Sequence, residues 1–160
     1  MHHSMIDGFR WLGAVVLIIA LVASCQHPVG RQDPGVEAQS GASDVSLVLR
    51  ATKGVYTQGE PLELTLKVVN RSPRPVTLGF RTSQRYDLLI QNAQGQEVWR
   101  WSGERMFAQM LGQEVLSPHG GELSYHVVVR EKIPRGAYTV VGVVPAVEAR
   151  LSARLDITIQ

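Results

Sequence analysis

Few residues in this 160-residue chain could do covalent chemistry. Cys25 is the only cysteine, and of the five histidines only His119 and His126 lie beyond residue 44. Neither stands at metal-ligand spacing from another His or Cys, so no metal site is expected. No serine sits in a nucleophile elbow, and no Gly-rich loop with a lysine is present to cradle phosphate. Catalysis needs a nucleophile with its base, a carboxylate pair or a metal set, and this inventory assembles none of them. The expectation is a protein that is not an enzyme and holds no cofactor. Chemistry of another kind is concentrated in "EVWRWSGERMFAQM", Glu97 to Met110. Trp99, Trp101 and Phe107, half of the chain's six Trp and Phe residues, fall within nine positions among arginines. Such a segment either fills a core, faces a partner or walls a small pocket.

The elements that must position these residues begin with a leader. The run "WLGAVVLIIALVAS", Trp11 to Ser24, is apolar or small throughout. It has signal-peptide length and falls short of the ~20 helical residues that span a bilayer. It ends in "LVASC", which resembles the lipobox of bacterial lipoproteins, with Cys25 as the lipid attachment site. The implied product is an extracytoplasmic protein, lipid-anchored to the bilayer through Cys25; Gln26 in place of Asp favours the outer membrane, facing the periplasm, where one exists. Met1 and Met5 are both available as starts. A lone cysteine cannot staple its own domain.

Residues 25–44 follow as acylated Cys and flexible linker, because "QHPVGRQDPGVEAQSGASD" is rich in Pro, Gly, Ser and Gln without an apolar period. Deleting Arg10 and Asp7 with the leader leaves 15 basic and 13 acidic residues, a near-neutral balance. Arg71, Arg74, Arg81 and Arg85 cluster in sequence, but no basic stripe with interleaved aromatics appears, so nucleic acid is not expected as a partner. "NRS" at Asn70 matches a glycosylation sequon by chance.

Residues 45–160 have single-domain length and alternate with period two. Leu62, Leu64, Leu66 and Val68 share a face, as do Val76, Leu78 and Phe80. The pattern returns in Tyr86, Leu88 and Ile90, in Leu123, Tyr125, Val127 and Val129, and from Leu151 to Ile159. Turn signals such as "TQGEP", "RSPRP" and "SPHGG" separate the runs. Seven to nine short antiparallel strands with one apolar face each pack as two stacked sheets, so the expected fold is an all-β, immunoglobulin-like antiparallel β-sandwich, with a closed barrel as its competitor. Within "EVWRWS" the alternation puts Trp99 and Trp101 on one face and Val98 and Arg100 on the other. The spacing of Met106, Phe107 and Met110 predicts one irregular helical turn capping the sandwich.

One succession of residues resembles a known family. Asn70, then Val76, Leu78 and Phe80, then Tyr86, Asp87, Leu88 and Ile90, then Gly95 and "EVWRWS", then Met106, Phe107 and Gln109 are similar to the BsuPI domain, the intracellular proteinase inhibitor family. The resemblance implies an immunoglobulin-like domain in which Tyr86, Asp87, Trp99, Trp101, Ser102, Phe107 and Gln109 are mainly structural. It also implies a protein partner, a serine protease being the leading candidate. The chain departs from the family's name, since the lipobox implies a place outside the cytoplasm. Two extended loops could enter a protease cleft: "RTSQR", with Arg81 and Arg85, and "SGERM", with Arg105 and Met106. The competing reading is a non-inhibitory envelope interaction or assembly module.

Overall fold

The computed structural model describes residues 35–40, 44–148 and 150–160. Cys25, the leader and most of the proposed linker lie outside the described residues. The strand order is β1 (Val36–Ser40), β2 (Val45–Ala51), β3 (Val55–Tyr56), β4 (Leu62–Asn70), β5 (Val76–Phe80) and β6 (Asp87–Asn92). It continues with β7 (Glu97–Arg100), β8 (Gly112–Leu116), β9 (Gly121–Val129), β10 (Gly136–Pro145) and β11 (Arg150–Ile159). One sheet runs β1-β2-β4-β9, a second runs β3-β11-β10-β6-β7, and β5 with β8 makes a separate ribbon. Pairing is antiparallel except where β3 lies parallel to β11.

Setting aside β1, β3 and the ribbon, seven strands remain. The first, second and fifth share one sheet, and the third, fourth, sixth and seventh share the other. That division is the immunoglobulin-like sandwich, as expected, with four short strands added to the seven.

The stacking follows from the alternation. Leu47 and Leu49 of β2 and Leu64, Leu66 and Val68 of β4 are buried on one inner face. They meet Leu88 and Ile90 of β6, Val140 and Val144 of β10 and Leu155 and Ile157 of β11 in a single core. The sheets press tightly together at Gly142 on β10. A Cβ there would lie 2.5 Å from Leu66 Cδ1 and 3.6 Å from Leu49 Cδ1, both on the opposite sheet. Only glycine leaves room for those two leucines.

Two elements depart from the expectation. Val36–Ser40, inside the stretch read as linker, is strand β1; it pairs with β2 from Val36↔Ala51 to Ser40↔Leu47. Backbone hydrogen bonding to an open sheet edge recruits the segment, Val36 and Ala38 pack half-buried against the core while Glu37 and Gln39 are exposed, and the Ser40 hydroxyl also donates to the Ser152 carbonyl of β11. The segment 105–111 is irregular rather than a helical turn: Ala108 spends its N–H and carbonyl on Ser83, its carbonyl also taking the Met110 N–H, instead of on a helical ladder.

A polar clamp closes one end of the sandwich. The Asn70 side chain is fully buried. Its Nδ2 donates to the carbonyls of Arg74 (2.8 Å), Ser117 (3.0 Å) and Leu116 (3.3 Å), and its Oδ1 accepts from the Ser72 backbone N–H and hydroxyl. The turn after β4 and the turn before β9 are thus tied to one amide, which leaves the "NRS" match no accessible nitrogen.

The tight approach at Gly142 generates a first prediction. Gly142→Ala should lower unfolding free energy by about 1–3 kcal/mol through overpacking, and combining it with Leu66→Ala should cost less than the two changes summed. Urea denaturation of the four proteins of the cycle measures this; strict additivity would mean that the sheets do not press on each other there.

Candidate functional site

The segment that crosses from the five-stranded sheet to the ribbon, residues 101–111, carries the feature on which the site is built. Strand β7 pairs with β6 through Leu89↔Arg100, Ile90↔Trp99 and Gln91↔Glu97, with a bulge between Ile90 and Gln91. Val98 is the extra residue and is exposed. Past the bulge, Trp99 stands opposite the core residue Ile90, so it faces inward. Trp101 continues the pairing by donating its N–H to the Leu88 carbonyl at 2.8 Å. Both indoles are half-buried and pack against the core, which agrees with the face expected for them.

On the outer side of the same hairpin, Asp87 is buried. Its Oδ1 accepts from the backbone N–H groups of Leu88 (2.9 Å) and Ser102 (3.2 Å), and its Oδ2 accepts from the Ser102 hydroxyl (2.7 Å) and Arg100 Nη1 (2.6 Å). Arg100 also binds Glu97 through Nη2 at 2.5 Å. Glu97 and then Asp87 hold the Arg100 guanidinium well above its ordinary pKa. Four donors on one carboxylate fix where the chain leaves β7.

Beyond that point the loop is pinned by aromatic stacking. Tyr86 lies 4.5 Å from Tyr125 of β9 and 4.2 Å from Trp101, and Trp101 lies 5.8 Å from Phe107, centroid to centroid. The column therefore bridges the two sheets and ends on the loop. Burial raises the pKa of both tyrosines, so their phenols stay neutral in the stack. Trp99 serves a different neighbour: its indole, after Glu131's own backbone N–H, lowers the Glu131 pKa by hydrogen bonding. Gln109 is exposed.

The two candidate loops come together. Ser83 N–H donates to the Ala108 carbonyl and Ala108 N–H donates to the Ser83 hydroxyl, both at 2.9 Å. Within the first loop, Arg85 is committed to support: its Nε binds Glu114 Oε1 at 2.9 Å, its Nη1 donates to the Thr82 carbonyl at 2.9 Å, and its guanidinium lies 4.7 Å from the Phe80 ring. Its guanidinium also occupies the space a Cβ on Gly112 would need. Arg81 is exposed at the rim.

In the second loop, Arg105 folds back. Its Nε donates to the Trp101 carbonyl at 2.9 Å and its guanidinium covers the Trp101 ring at 4.4 Å. Met106 is left 100 % exposed, with Met110 at 59 % and Leu111 at 82 %. Sequence reasoning singled out Met106, took Met110 for part of a capping turn and Ser83 for part of the first loop, and missed Ala108 and Leu111. The paired backbone bonds carry no signal in composition.

The clasp can be tested directly. Asp87→Ala leaves the Ser102 hydroxyl and N–H without their acceptor and should destabilise the domain by about 2–4 kcal/mol, whereas Ser102→Ala, which removes one donor, should cost about 1 kcal/mol. Chemical denaturation reads both; an Asp87→Ala midpoint equal to wild type would show the carboxylate to be dispensable.

Comparison with known proteins places this geometry. A comparison with curated proteins gave no match. Solved structures similar to the chain include the C-terminal domain of Wzt, at 11 % identity and TM-score 0.49 with 78 % of each chain covered. The sporulation control protein Spo0M from Bacillus subtilis matches at 15 % identity and TM-score 0.49, over 74 % of this chain and 50 % of its own. The CARDB domain of a Pyrococcus furiosus protein, solved with di-metal ions, matches at 14 % identity and TM-score 0.43, over 73 % of this chain and 88 % of its own. These likenesses are too remote to bear on function. The BsuPI family model, described as intracellular proteinase inhibitor, matches residues 49–149. That description overturns the extracytoplasmic localisation expected from the leader. A short apolar run ending in one cysteine is a low-information pattern, while the family match rests on the folded domain. With more than half of the chain matched, and with Tyr86, Asp87, Trp101, Ser102 and Phe107 forming one connected clasp and column, the chain belongs to the BsuPI family of intracellular proteinase inhibitors.

Proposed function

We propose that this chain inhibits a serine proteinase by presenting residues 102–111 to the protease cleft, with Met106 entering an apolar specificity pocket. One observation carries the reading: Met106 is wholly exposed between neighbours that are each tied down. On one side Arg105 is bound to Trp101; on the other Phe107 rests on Trp101 and Ala108 is bonded to Ser83. A substrate-like inhibitor gains affinity by holding its loop in the bound shape beforehand, which lowers the ordering cost of association. Arg105 and Arg85 are engaged with the domain itself, so neither is offered to a trypsin-like pocket. The first loop, 81–86, acts as a buttress for the second.

Titration of a subtilisin-type proteinase with the full chain should give stoichiometric inhibition, with trypsin inhibited far more weakly. Met106→Asp should weaken inhibition by roughly 100-fold or more, since a carboxylate is costly in an apolar pocket, while the melting temperature stays at the wild-type value. Arg81→Ala should leave inhibition intact. Unaltered inhibition by Met106→Asp, or steady cleavage of the chain with no loss of protease activity, would refute the assignment.

A further inference from the structure

The chain has four methionines, at positions 1, 5, 106 and 110. Both that belong to the folded domain sit in the presented loop, at 100 % and 59 % exposure. The core is built from Leu, Val, Ile, Ala, Phe and Tyr and contains no methionine. A thioether oxidant therefore finds its targets in the domain only on the loop, and its action there leaves the packing of the sandwich untouched. From this distribution we infer that Met106 is an oxidative modification site that switches the inhibitory loop off, an inference that rests on the proposed role of that loop.

The chemistry balances with a hydroperoxide as oxidant. The Met106 sulfur lone pair attacks the distal peroxide oxygen, an S–O bond forms as the O–O bond breaks, and the peroxide leaves as water or alcohol. Sulfur is oxidised by two electrons and the peroxide is reduced by two. The reverse step uses a dithiol, as methionine sulfoxide reductases do: the two thiols become a disulfide and the sulfoxide oxygen departs as water. The product side chain is polar and chiral where the thioether was soft and apolar. An apolar pocket that accepts Met106 gives the sulfoxide oxygen no hydrogen-bond donor, and desolvating it without one is unfavourable. Arg105, Phe107 and Ala108 keep their partners, because none of their contacts involves the Met106 side chain. Oxidation thus removes the recognition element and leaves the frame that presents it.

The test uses the full chain with Cys25 alkylated beforehand, so that sulfur oxidation reports methionine alone. After graded exposure to hydrogen peroxide, peptide mapping should find a gain of about 16 Da on the Met106 peptide earlier than on Met110, and inhibition of the subtilisin-type proteinase should weaken at least ~10-fold as that gain appears. The melting temperature should not move. Treatment with a methionine sulfoxide reductase and dithiothreitol should restore inhibition, and the inhibition constant of Met106→Leu, whatever its starting value, should not change on peroxide treatment. Sulfoxide at Met106 with undiminished inhibition would overturn the switch. So would loss of inhibition by oxidised Met106→Leu at the wild-type rate. If the unoxidised chain inhibits no proteinase, it is the inhibitory reading that fails; the modification site is then decided by mapping alone, and oxidation of Met110 ahead of Met106 would overturn it.

Discussion

A carboxylate taken almost out of water has to be given donors, and at Asp87 that requirement organises everything around it. Its two oxygens collect the Leu88 and Ser102 backbone N–H groups, the Ser102 hydroxyl and an Arg100 nitrogen. A buried charge left short of partners would cost several kcal/mol, so the hairpin of β6 and β7 and the first residue of the loop beyond it are held in one arrangement. Arg100 stands across from Leu89 on the outer face, beside the small apolar group of Leu89, Val141 and Val143. The aromatic column has its origin in the same constraint, since fixing Asp87 and Ser102 also fixes Tyr86 and Trp101 next to them.

Among its described residues the domain has no cysteine, so no disulfide holds the loop. Rigidity comes from distributed contacts instead: an ion pair with hydrogen bonds at the loop's start, stacked rings beneath its middle, and reciprocal bonds to the turn at Ser83. Each is modest. Together they tie down Arg105, Phe107 and Ala108 and leave Met106, Met110 and Leu111 as exposed apolar side chains. Arg105 is folded onto the Trp101 ring while Met106 beside it stands clear.

Much of the fold was legible because inward residues recur at every second position in β4, β6, β9 and β11, where one face meets the core. Strand β10 escaped that reading for a physical reason. Val140 and Val144 face the core while Val141 and Val143 are buried on the outer face, so its apolar run has no period. Strand β1 lies in a Pro-, Gly- and Ser-rich stretch, and its inward face offers only Val36 and Ala38, two half-buried side chains too few to show a period. At the site, the aromatic segment announced itself through composition, and the Tyr86-Asp87 and Trp-Trp-Ser elements through family resemblance. The division of labour among the arginines could not be read, because Arg85 and Arg105 look like free cations until Glu114, Phe80 and Trp101 are seen beside them. The leader was read as an address for the wrong compartment, a reminder that a short pattern at a terminus weighs less than a whole matched domain.

The parallel pairing of β3 with β11, through Val55↔Thr158 and Tyr56↔Ile159, joins residues far apart along the chain. Asp87 and Ser102 are separated by only 15 positions. Closing the short loop is entropically cheap and closing the long one is slow, so the order in which native contacts accumulate is set by topology. The hairpin of β6 and β7, which leads into the loop at 101–111, has the means to assemble early, while the sheet edge at β11 waits for a partner from the opposite end of the domain. Until β3 arrives, the edge of β11 that faces away from β10 has no strand beside its last residues, and an open edge next to an apolar face is a place where a foreign strand can pair.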